Sequence, residues 1–150
     1  MADEGKRPFQ NHIDAANEGQ LSVSFSADVR LNAEEFVYLD RDCQAMKDKI
    51  GELQRIAEGI SGREIWGLGE APASWIRSGK VLVKRFRDKA KGDDSGNSAH
   101  AILQRHYEII DGIQELHRVI AQRYLDTDSE FASRYNEVMA SAPQGFQGKQ

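Results

Sequence analysis

Eight apolar side chains, Phe36, Leu39, Cys43, Met46, Ile50, Leu53, Ala57 and Ile60, recur at alternating spacings of three and four residues. That rhythm follows the α-helical turn and places them along one side of a helix of about 30 residues, about 45 Å long. A helix with such a seam hides it only by lying lengthwise against other helices. Asn32 stands in front of the run as an N-cap, with Glu35 as its reciprocal partner three positions on. Gly59 and Gly62 close it.

Two more helical patterns follow. The segment Gly62–Pro72, with Trp66-Gly67 at its centre, reads as a turn, and Pro72 suits the first position of a second helix. Trp75, Gly79, Leu82 and Phe86 form its stripe, with Ile76 and Val83 beside them. Gly79 points to the close approach of a neighbouring helix. Lys91–Asn97 is a break, and Ser98 can cap a third helix with the seam Ile102, His106, Ile109, Ile113, Leu116 and Ile120. Beyond Ile120 the register shifts to Tyr124, Phe131 and Tyr135, which changes the face that is buried. The expectation is an all-α fold: an elongated antiparallel helical hairpin or three-helix bundle, with a Trp-Gly turn and a long C-terminal helix. Its third helix either folds back at the break or continues the second as one interrupted arm. Phe36, Leu39, Met46, Ile50 and Leu53, with Ile109, Ile113 and Leu116, are the candidate surface for a partner chain.

Outside the helices the chain reads differently. Residues 1–20 are polar and read as a disordered arm. Leu21, Val23, Phe25, Ala27, Val29 and Leu31 alternate as a strand would, yet no second segment repeats the pattern. The segment is an extended leader along the helices or an edge that pairs with another chain. The expected organisation is a flexible or extended leader over 1–31, a helical bundle over 32–140 and a disordered tail over 141–150.

Several function classes find no support. A net charge of −4 gives no footprint for nucleic acid. Arg77–Lys91 is strongly basic, but acid-rich flanking helices offer charge matching within the chain. Cys43 is the single cysteine, so neither an internal disulfide nor a multi-cysteine zinc site is available. His106 and His117 lack the spacing of a helical metal site, and no nucleophile, base and orienting acid assemble. We expect no enzyme activity, no cofactor and no metal. Residues 1–20 have no apolar core of a signal peptide, and no apolar run reaches the ~18 residues of a membrane span.

What remains is a recognition surface. Tyr124 and Asp128 are four residues apart near the end of the last helical pattern, which would put ring and carboxylate on one helix face. Trp66 sits in a turn, where it must pack on something other than a helix seam. Helices around a Trp-Gly turn, followed by Tyr124-Leu125-Asp126-Thr127-Asp128 with Ala132 beyond, resemble the WXG100 (ESX-type) proteins of type VII secretion over residues 32–140. The glycines here stand one and three positions after Trp66, where the family has one at two. The chain is longer than usual, and Lys91–Asn97 interrupts what is one helix in the family.

The resemblance implies a small helical protein that pairs with a like or related chain, as a homo- or heterodimer. It implies export through the type VII system without a cleaved signal peptide and without stable membrane insertion. Tyr124 and Asp128 match one element of the export signal, and Trp66 with Gly67 matches the other. The two would be held in fixed relation for the secretion ATPase or a chaperone. A cytosolic helical adaptor is the alternative, and a nucleic-acid- or membrane-binding basic helix is a further one.

Overall fold

The computed structural model describes residues 7–22, 32–72, 75–92 and 96–142. The described residues are helical or in turns, with no strand among them: α1 (Gln10–Asn17), α2 (Ala33–Ser61), α3 (Arg77–Arg87), α4 (Ala99–Thr127) and α5 (Ser129–Ser141), with a π-helical turn Asp88–Gly92 after α3. The alternating segment from residue 23 to 31 and the tail from 143 lie outside the described residues. The chain forms two compact units, one of residues 1–48 and 108–150, the other of residues 49–107. The division falls inside α2 and α4, so the expected bundle of 32–140 contributes to both.

In the first unit the structure corrects the reading of residues 1–20 as a disordered arm. Residues 10–17 are helical, and Ile13 and Ala16 are buried. Gly19, at φ +73°, turns the chain out of α1, a conformation glycine adopts without the Cβ clash. The approach to α1 is clamped onto α4. A Cβ on Gly112 would stand 2.6 Å from the Pro8 carbonyl oxygen, so only glycine admits that contact. Beside it Arg7 pairs with Asp111 and Glu115, and the buried Lys47 ammonium reaches Asp111 at 2.8 Å. Hydrogen bonding to Lys47 is the first cause of the lowered Asp111 pKa.

α2 begins as expected, with the Glu34 amide donating to the Asn32 side chain at 3.0 Å. Its seam is only half used. Cys43, Ile50 and Ala57, seven residues apart, are buried, while Met46, Leu53 and Ile60, the alternate column, are exposed. Near the N-terminus Val37 takes the interior place expected for Phe36, which is half-buried, as is Leu39. α4 departs further. Its buried positions are Gly112, Gln114 and Ala121; Ile102, His106 and Ile109 are exposed, and Ile113, Leu116 and Ile120 are half-buried. Gln114, 1% exposed, donates to the Asp40 carbonyl at 2.9 Å, so an amide outside the expected seam lies deeper than the neighbouring Ile113.

The second unit has a thin interior of Ile50, Ala57, Gly79, Val83, Ala90 and Ser98. Ser98 caps α4 as predicted, its hydroxyl accepting from the Ala101 amide at 3.2 Å. α3 starts at Arg77, not near Pro72. Trp75 therefore precedes the helix instead of sharing its stripe and is 89% exposed. Among the described residues, eleven of the sixteen exposed large hydrophobic side chains belong to this unit.

Candidate recognition turns

Trp66 belongs to the second unit; Tyr124 and Asp128 belong to the first. Each turn is built locally.

After α2 the chain must reverse, and the Trp66 turn does so around one carboxylate. Glu70 accepts from the amides of Trp66, Gly67 (3.1 Å) and Leu68 (2.8 Å). Three convergent N–H groups favour the ionised form, and the bond from Trp66 leads in lowering the Glu70 pKa to about 2. Gly67 and Gly69 carry φ of +75° and +79°, which is why glycines flank Leu68. The indole stacks on Phe86 at 5.6 Å with the planes 10° apart, and its Nε1 donates to the Arg63 carbonyl at 3.0 Å. The Arg63 guanidinium lies 5.6 Å from the ring centre. Arg87 of α3 donates to the Arg63 carbonyl at 2.6 Å. The close approach foreseen at Gly79 is real, but the neighbour is the turn itself: a Cβ there would stand 2.0 Å from the Leu68 carbonyl oxygen. Trp66 is thus half-buried and aromatically stacked within its own unit.

At Tyr124 the structure overturns the idea of one continuous helix face. α4 ends at Thr127, and Asp128 is extended, at φ −130° and ψ 106°. Its Oδ1 accepts from the amides of Glu130 and Phe131, both at 3.0 Å, and so caps α5. Tyr124 and Asp128 consequently lie on either side of a helix end, joined through backbone. Phe131 is the buried pivot of the corner. It meets Tyr124 at 5.5 Å, Tyr135 at 6.0 Å and Phe36 of α2 at 5.7 Å, ring centre to ring centre. Arg134 ties α5 to α2 through Glu34. The expected register shift after Ile120 is therefore a break, placed at Asp128.

Tyr124 also lines a groove of about 310 Å³ with Leu21, Val119, Ile120 and Arg123. An adjoining groove of about 390 Å³ runs over Arg118, Arg123 and Asp126. Ala16 of α1 touches both, so the leader frames the Tyr124 corner, a contribution sequence spacing did not reveal. Of the candidate partner surface, Met46, Leu53 and Ile109 are exposed, Phe36, Leu39, Ile113 and Leu116 half-buried, and Ile50 buried.

Among the described residues no group of three His, Cys, Asp or Glu is placed to share a metal ion, and no helix is long and apolar enough to cross a membrane. His117 is engaged otherwise, with Nδ1 3.0 Å from the Ile113 carbonyl and its ring 5.9 Å from Phe36. No protein-family model matches this chain, and comparison with curated proteins and with solved structures finds no significant similarity.

Proposed function

We propose that the chain is a WXG100-like helical protein, exported by a type VII system or serving as a partner subunit of such a substrate. In this reading it presents the Tyr124–Asp128 corner to the machinery. The observation that supports it most is the construction of that corner. Tyr124 occupies the last turn of a 29-residue helix, and Asp128 is pinned by two amides at the start of the next. A ring beside a groove and an exposed acid with restricted backbone make a small, ordered recognition feature. Such order limits the entropy lost when a receptor binds. The open column Met46, Leu53 and Ile60 supports pairing with a like or related chain, since apolar side chains at heptad spacing are what a helical partner covers.

Export assays on point variants test the proposal. Tyr124→Ala should abolish export while helicity is retained. Asp128→Asn keeps an oxygen that caps α5 but removes the charge, so a receptor that reads the acid should export it poorly. Normal export of both variants would reject the corner as a signal, whereas retention of the unmodified chain would favour a helical adaptor that stays inside the cell.

A further inference from the structure

We infer that the outer face of α3, with Trp75 in front of it, is a docking surface for a membrane that carries anionic lipid. α3 holds five basic residues and no acidic one. Arg77, Lys80, Val81, Lys84 and Arg85 follow the spacing i, i+3, i+4, i+7, i+8, which gathers them on one helix face. All five are exposed, whereas Gly79 and Val83, on the opposite side, are buried.

Among the described residues, acidic partners do not account for this face. Among the described residues, Asp88 pairs with Lys84 and Glu58 with Lys91. Arg87 turns inward to carbonyls, and Lys80 donates to the Pro72 carbonyl. No acidic side chain among the described residues pairs with Arg77, Lys80 or Arg85. Basic residues in the last turn of a helix suit its dipole, but Arg77 and Lys80 stand in the first turn, where the dipole opposes them.

Three further features select a lipid surface over another polyanion. Trp75 is 89% exposed, Ile65 in the turn is 77% exposed, and Val81 sits among the cations at 50%. A headgroup layer accepts indole and aliphatic groups beside Lys and Arg, while a nucleic acid, which can stack on an indole, has no apolar layer to receive Ile65 and Val81. The charge of the chain is also divided. Residues 49–107 hold eleven Lys and Arg against seven Asp and Glu, and the other unit holds nine against seventeen. By net charge an anionic surface thus attracts the second unit and repels the first. Adsorption through this face is independent of export through the Tyr124 corner.

The test is co-sedimentation of the full chain with vesicles of mixed phosphatidylglycerol and phosphatidylcholine, read beside Trp fluorescence. We expect binding that weakens with salt, no binding to pure phosphatidylcholine, and a blue shift that disappears in Trp75→Phe. Arg77→Gln, Lys80→Gln and Arg85→Gln combined should bind about 100-fold more weakly, at about fivefold per charge near such a surface. Far-UV circular dichroism of that exposed-site variant should be unchanged. Equal binding to pure phosphatidylcholine, or undiminished binding by the folded triple variant, would overturn the inference. So would binding without any blue shift, or binding to DNA or an acidic polypeptide with none to the mixed vesicles.

Discussion

The amide of Asp128 donates to the carbonyl of Tyr124 at 2.8 Å, closing α4 with the same residue whose carboxylate opens α5. The tyrosine and the acid are therefore coupled through main chain, not displayed as neighbours on a helical surface. Removing the carboxylate frees two amides of α5. Asp128→Ala should lower stability by about 1 kcal/mol, and Asp128→Asn by only a few tenths. Thermal unfolding followed at 222 nm separates the two, and equal melting of both variants would deny the cap a part in stability.

Gly79→Ala reverses the usual preference of helices. An interior glycine replaced by alanine ordinarily gains about 1 kcal/mol. Here the added methyl carbon would stand 2.0 Å from the Leu68 carbonyl oxygen, and backbone yields poorly. Overpacking of about 1–3 kcal/mol should outweigh the gain. Urea titration should show a lower midpoint, and a higher one would show that the Trp66 turn does not rest on α3.

Glu70 makes the Trp66 turn sensitive to acid. Its pKa is depressed from 4.5 to about 2, so its contribution is complete above the unfolded value and disappears as pH falls through the folded one. The near-UV signal of the stacked Trp66 should hold through pH 4 and fade toward pH 2. Glu70→Gln should weaken the turn at neutral pH and flatten this dependence. A Trp signal that titrates alike in both proteins would locate the acid sensitivity elsewhere.

Asp111 neutralises a buried ammonium. The Lys47 side chain is 8% exposed, and loss of Asp111 removes its 2.8 Å ion pair in the first unit. Asp111→Ala should cost up to about 3 kcal/mol, below the range for fully buried pairs because Asp111 is partly solvated. It should also loosen α1, which Arg7 anchors to the same carboxylate. Adding Lys47→Met should recover much of the loss in a double-mutant cycle. Strict additivity of the two changes would mean that the pair is not coupled.

The helices and several of their ends were legible in the sequence, because caps and periodicity are local. Asn32, Gly62 and Ser98 act where spacing and residue type place them. α1 was not legible: it has few apolar residues, and Arg7 and Pro8 secure it to α4 a hundred residues away. The break at Asp128 did leave a signal. Asp followed by Ser-Glu, with Phe131 beyond, is a helix start, but the strong period running through Tyr124 concealed it. Which column of the α2 seam turns inward could not follow from spacing, since Cys43 and Met46 satisfy the same period. Gln114 in the interior depends on the Asp40 carbonyl, a partner 74 residues distant.

Cys43 gives the molecule a chemical clock. The thiol is buried, and burial leads in raising its pKa, so both access and thiolate are withheld in the folded chain. A thiol reagent should label it chiefly during openings of the first unit, and no second cysteine competes for the reagent. The labelling rate accordingly times those excursions one molecule at a time.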